Sequence, residues 1–136
     1  MGAAAMRTKS ADIPVGGILN PQSVAAAGTA TGTWVDARTA AWWVALCQAG
    51  ALGGGVAIFN LQQATDNAGT GAKAVANAPG SATKTPTAGQ GLYIDVDPQA
   101  LDLANSFFFV ALKAAVAGGT GALVSGALVA TAPRYQ

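Results

Sequence analysis

The sequence predicts an all-β fold: an antiparallel β-sandwich, jelly-roll-like, of about seven or eight strands with an extended N-terminal arm. Three observations predict it. The 136 residues break into short apolar segments of similar length, divided by Gly, Pro, Asn and Thr, which is the spacing of strands and turns in sandwiches and barrels. The β-branched and aromatic residues, with 18 Gly, oppose the helices that the alanine content would otherwise favour. One segment alternates cleanly, with Leu92, Ile94 and Val96 on one side and Tyr93, Asp95 and Asp97 on the other, as in a strand with one wet face.

Residues 1 to 20 read as the arm. Pro14, Gly16, Gly17 and Pro21 interrupt regular structure there. Arg7, Lys9 and Asp12 offer polar contacts, while Ile13, Pro14, Val15, Ile18 and Leu19 offer apolar anchors. Together they form a candidate partner-binding segment that orders on contact. Residues 21 to 136 then make a single domain, long enough to bury one core. Strands are predicted over 24 to 35, 41 to 49, 55 to 65, 71 to 77, 92 to 97, 107 to 116 and 122 to 131. Within these, VAIFNLQQATDNAGTGAKAV reads as a hairpin: Phe59 and Leu61 face the core, Gln62 and Gln63 lie toward solvent, and Asp66 to Gly71 turn the chain. Residues 78 to 91, rich in Pro, Gly, Ser and Thr, read as a surface loop. Pro98 after Asp97 suits the start of one helical turn.

Two strand candidates lack a wet face. In AWWVALCQA, Trp42, Val44 and Leu46 oppose Trp43, Ala45, Cys47 and Ala49; in FFFVALKAAV, Phe108, Val110 and Leu112 oppose Phe107, Phe109 and Ala111. A sandwich normally leaves one face of each sheet in water. With only 10% charged residues, against about 25% in ordinary domains, an outer face covered by another subunit is expected. Trp43, Phe107 and Phe109 are the candidate oligomer-interface residues.

The chemical inventory narrows function. There is no His and no Glu, only six Asp, four Lys and three Arg, so the commonest general base and metal ligand is missing. No Ser, Thr, Cys or Lys has a candidate base beside it, and no catalytic residue is assigned. Asp95 and Asp97 could hold a hard cation only with three or more further oxygens; a solvated strand face is the simpler reading, and no metal or cofactor is expected. The glycine clusters lack the Gly-Lys-Ser/Thr ending of a phosphate cradle and read as turns. A net charge of +1 gives no footprint for nucleic acid. Two uncharged runs, residues 39 to 65 and 114 to 133, are long enough to span a bilayer, but glycine turns divide each into strand-length pieces, so no membrane span is expected. The single Cys47 lies in an apolar run and fits a buried hydrophobe in a protein made in a reducing compartment.

The order of several short motifs carries a resemblance. These are Gly32-Thr33-Trp34-Val35-Asp36, Leu61-Gln62-Gln63-Ala64-Thr65-Asp66, the apolar stretch 107 to 116, Gly118-Gly119-Thr120-Gly121 and Pro133-Arg134-Tyr135. In that order the chain, over residues 32 to 136, resembles small tailed-bacteriophage capsid auxiliary proteins of the decoration or cement type. The aromatic-rich strand expected after the Asp66 turn is missing from residues 72 to 91. The resemblance implies a β-sandwich that binds the outside of an assembled head through the major capsid protein and stabilises it. It further implies copies arranged as a homotrimer, synthesis in the host cytoplasm and residence on the virion head surface. A tail or baseplate subunit would show the same charge-poor, self-associating sandwich. A carbohydrate-binding, adhesin-like module is the other class, with Trp34, Trp42, Trp43 or Tyr93 as stacking platform.

Overall fold

A computed structural model describes residues 15 to 133. Its strands, in chain order, are β1 (Val15–Val24), β2 (Thr29–Thr31), β3 (Val35–Asp36), β4 (Ala40–Ala49), β5 (Val56–Ala64), β6 (Lys73–Ala74), β7 (Gly91–Val96), β8 (Phe109–Ala117) and β9 (Ala122–Pro133). They form two antiparallel sheets, one ordered β1-β9-β4-β7 and the other β2-β8-β5-β6, with β3 also paired to β8. The β-sandwich expected from the segment spacing is therefore present. Both β2 and β3 lie along β8, separated by Gly32, Thr33 and Trp34. Counted as one interrupted strand, they leave eight strands whose order in the two sheets is the wiring of a jelly roll.

The core lies between the sheets. Phe59, Leu61, Val110, Leu112 and Val116 come from the five-stranded sheet, and Leu19, Trp43, Ile94, Val96, Val124 and Leu128 from the four-stranded one; all are buried. The clean alternation of 92 to 97 holds, since Ile94 and Val96 are buried while Tyr93 and Asp95 are exposed.

The arm is where the sequence reading changes most. Residues 1 to 14, with Arg7, Lys9, Asp12, Ile13 and Pro14, lie outside the described residues. From Val15 onward the chain is strand β1, paired to β9 from Val15↔Val129 to Val24↔Ala122. Leu19 is a core residue, 1% exposed, so it is not available as a free anchor. Ile18 points the other way and is 48% exposed. The residues that suggested irregularity have local tasks instead. A Cβ on Gly16 would collide with the Trp43 ring, and one on Gly17 would sit 2.7 Å from the Thr33 carbonyl oxygen, so these glycines let β1 approach the core closely. Pro21 falls at a register shift in β1, an edge strand, where a missing N–H costs no ladder bond.

The hairpin of residues 56 to 75 forms, although β6 is only two residues long. Asp66 organises its turn: Oδ1 accepts from the amides of Ala68 at 2.9 Å and Thr70 at 3.0 Å, and Oδ2 accepts from the Thr70 hydroxyl at 2.6 Å. Where β6 ends, the edge of β5 is taken up by Lys84, which exchanges two backbone hydrogen bonds with Phe59. The 78 to 91 segment is thus a loop pinned to the sheet, with Pro86 fully buried. The turn expected at Pro98 is a 3-10 turn, Pro98–Ala100, capped by Asp97, whose carboxylate accepts from the Gln99 amide at 3.0 Å.

Candidate functional site

The two outer faces of the sandwich differ in chemistry. On the four-stranded sheet, register places Ile18 beside Ala127, Ala127 beside Leu46, and Leu46 beside Tyr93. One complete row across all four strands is therefore apolar and outward. Ile18, Leu46 and Tyr93 are 48%, 46% and 60% exposed. The adjoining row continues it with Val129 and Val44, ending at Asp95 on the edge strand. On the five-stranded sheet the middle row of the outer face is instead Thr31, Lys113 and Asn60, which water satisfies. Four of the five exposed large hydrophobics among the described residues, Ile18, Leu46, Tyr93 and Leu123, lie on β1, β4, β7 and β9; the fifth, Val56, starts β5.

Shape accompanies the chemistry. β9 presents small side chains outward, Ser125 and Ala127, between the larger Ile18 on β1 and Leu46 and Tyr93 on β4 and β7. The result is an open hollow of about 620 Å³ over the middle of the sheet, lined from all four strands. Gly126 sets its floor. A Cβ there would collide with Leu112 of the opposite sheet and with the Leu46 carbonyl oxygen, so only glycine lets β9 lie this close to both.

Cys47 lines the same hollow but points inward and is 1% exposed. Burial pushes its thiol up to about 12, with Lys84 a smaller opposing influence. A thiol so placed is not a nucleophile at neutral pH.

The sequence-proposed interface residues are not brought together on this face. Trp43 is 2% exposed, and its indole N–H donates to the Ala37 carbonyl at 3.1 Å, so it is a core residue and unavailable to a partner. The register of β4 against β9 shifts between Trp42 and Trp43, and the outward side of β4 falls to Val44 and Leu46. Phe107 and Phe109 are half-buried at the other sheet. The Lys73 ammonium covers the Phe107 ring at 4.1 Å, and the Arg38 guanidinium covers Phe108 at 4.2 Å. Phe109 pairs with Asp36 and Ala64. Each of these cations also meets a carboxylate: Lys73 bonds Asp102 at 2.6 Å, and Arg38 bonds Asp36 at 2.7 Å. Trp34, half-buried, packs over Gly69 of the hairpin turn. Of the four aromatic residues considered as a glycan platform, Trp43 is buried, Trp34 and Trp42 are half-buried, and Tyr93 is the exposed one.

Gln62 and Gln63, read as solvent-facing, are 8% and 2% exposed. Gln63 spans two elements, donating to the Ala74 carbonyl at 3.1 Å and accepting from the Asp102 amide at 2.8 Å. It lines a second hollow of about 420 Å³ beside Lys73 and Asp102, whose polar groups are already engaged with one another. Among the described residues no three His, Cys, Asp or Glu side chains are placed to hold a metal ion. No helix among them is long and apolar enough to cross a membrane.

Compared with known proteins, the chain matches no family model, no curated protein and no solved structure.

Proposed function

We propose that this protein is a non-catalytic virion structural protein that binds the outer surface of a phage head, through the major capsid protein, and stabilises the assembled shell. The observation that carries its associative character is the apolar row Ile18, Ala127, Leu46 and Tyr93 across the four-stranded sheet, in a chain with 10% charged residues. A contiguous apolar face of that kind is the usual mark of a surface that another molecule covers. The head as the place of work is supported by the resemblance in motif order. The motifs concerned fall on the β2–β3 interruption, the end of β5 with its turn, and the β8–β9 turn. The jelly-roll wiring is one that viral capsid domains use, as lectins and cupins do, so it agrees with the reading without selecting it.

In this reading the segment 1 to 14 supplies the lattice contact through Arg7, Lys9, Asp12, Ile13 and Pro14, and the protein is present in many copies. A tail or baseplate subunit is the alternative. Mixing purified protein with heads that lack it, and separately with tails, then sedimenting each, separates them. Saturable binding to heads at a fixed ratio to the major capsid protein is expected. Binding to tails alone, or to neither, overturns the proposal.

A further inference from the structure

We propose that the outer face of the four-stranded sheet is the seat of a second copy of this chain, paired back to back about a two-fold axis. The inference deepens the associative reading above and rests on it only for the idea that this face is covered. Three features of the face suit an identical partner.

The first is shape. The face has a hollow over Ser125 and Ala127, with Ile18 projecting on one side and Leu46 and Tyr93 on the other. A two-fold operation sets a projecting side chain of one copy into the hollow of its mate, and the reverse, because an isologous contact uses the same patch twice. The second is charge. Asp95 is the one charged residue in the two apolar rows, and it lies on edge strand β7, so the middle of the patch asks for no counter-charge. A second copy meets that middle with an equally uncharged one and leaves no charge unpaired. The third is size. Four strands at about 4.8 Å spacing and the six residues of β7 at about 3.4 Å give a footprint of about 400 Å². With side-chain relief, two copies remove on the order of 1,000 Å² from water, about the least that a specific interface needs. The pair is accordingly held at micromolar rather than picomolar strength, and sheet-on-sheet packing at about 10 Å supplies its geometry.

Pairing through this face makes the copy number even. It thereby replaces the three copies implied by the resemblance, and it leaves free the outer face of the five-stranded sheet, with Thr31, Lys113 and Asn60 across its middle.

Sedimentation equilibrium of the full chain from about 0.5 to 50 µM, which brackets that strength, tests the pairing together with three variants. The unaltered protein is expected to be a dimer at the upper end. Leu46→Asp and Tyr93→Asp should each raise the dissociation constant at least about tenfold, with unchanged circular dichroism; Tyr93 is 60% exposed and tolerates the change. Val56→Asp, at an equally exposed position on the other sheet, should leave dimerisation as it was. A monomer throughout the range, a trimer, or a dimer indifferent to both Leu46→Asp and Tyr93→Asp overturns the proposal. Head binding is scored separately: a monomer that still binds heads removes the pairing and keeps the virion reading, and a dimer that ignores heads does the reverse.

Discussion

Gln63 shows what a single side chain does in this fold and how little of it is visible from local sequence. Its amide, on a side chain only 2% exposed, joins β6 to the turn before β8 through the Ala74 carbonyl and the Asp102 amide. Gln63→Ala leaves a backbone donor and a backbone acceptor without partners, and should destabilise the protein by about 2 kcal/mol, read as a lowered urea midpoint at unchanged m. A change near zero would mean that water replaces the amide. In the sequence Gln62 and Gln63 mark a polar end to an apolar strand, and polarity alone suggests exposure; the partner 39 positions away leaves no local trace. Trp43 went astray for a different reason. Neither parity of AWWVALCQA is polar, so alternation cannot choose an inside, and the register shift at Trp42 adds an irregularity that no pattern announces. Where one parity is wet, as in residues 92 to 97, the inner face was legible.

At the scale of elements, β1 is the test of how the chain is divided. Its glycines and Pro21 look like arm composition, but Gly16 and Gly17 are small because Trp43 and Thr33 come close, a tertiary cause. Deleting residues 1 to 14 should leave thermal unfolding unchanged and lower head binding about tenfold, near 1.4 kcal/mol. Deleting residues 1 to 20 should in addition lower the unfolding temperature by ten degrees or so, because it removes Leu19 and most of the edge strand from the core. Equal stability of both truncations would contradict the place of β1 in the sheet. The loops make a second prediction. The Arg38 side chain bonds Asp36, the Thr70 hydroxyl bonds Asp66 and the Lys73 ammonium bonds Asp102, and each holds its carboxyl below the ordinary value of 3.8. A carboxylate with a depressed pKa in the folded state stabilises above its unfolded value, and the contribution is lost as pH falls through the folded value. Stability should therefore hold down to about pH 4 and decline below it, modestly, because these groups are solvent-screened. An unfolding temperature that rises on acidification from pH 4 to pH 2 would reverse the sign and refute the assignment.

For the whole molecule, the sandwich and its turns were legible because strand length and turn residues are local properties. The outward side of each sheet was not, since it depends on which strands become neighbours. Sequence reading anticipated a covered outer face from the shortage of charge, and placed it on Trp43, Phe107 and Phe109. The register of β1, β9, β4 and β7 places the exposed apolar side chains Ile18, Leu46 and Tyr93 together instead, while cations already cover Phe107 and Phe108. The central claim is that this face spends its working life against another protein surface. Hydroxyl-radical footprinting read by mass spectrometry tests it most directly, comparing dilute protein, concentrated protein and protein bound to particles. Labelling of Tyr93, Leu46 and Ile18 should fall several-fold in the associated states, while Val56 keeps its rate. Equal labelling of Tyr93 and Leu46 in all three states would contradict the claim.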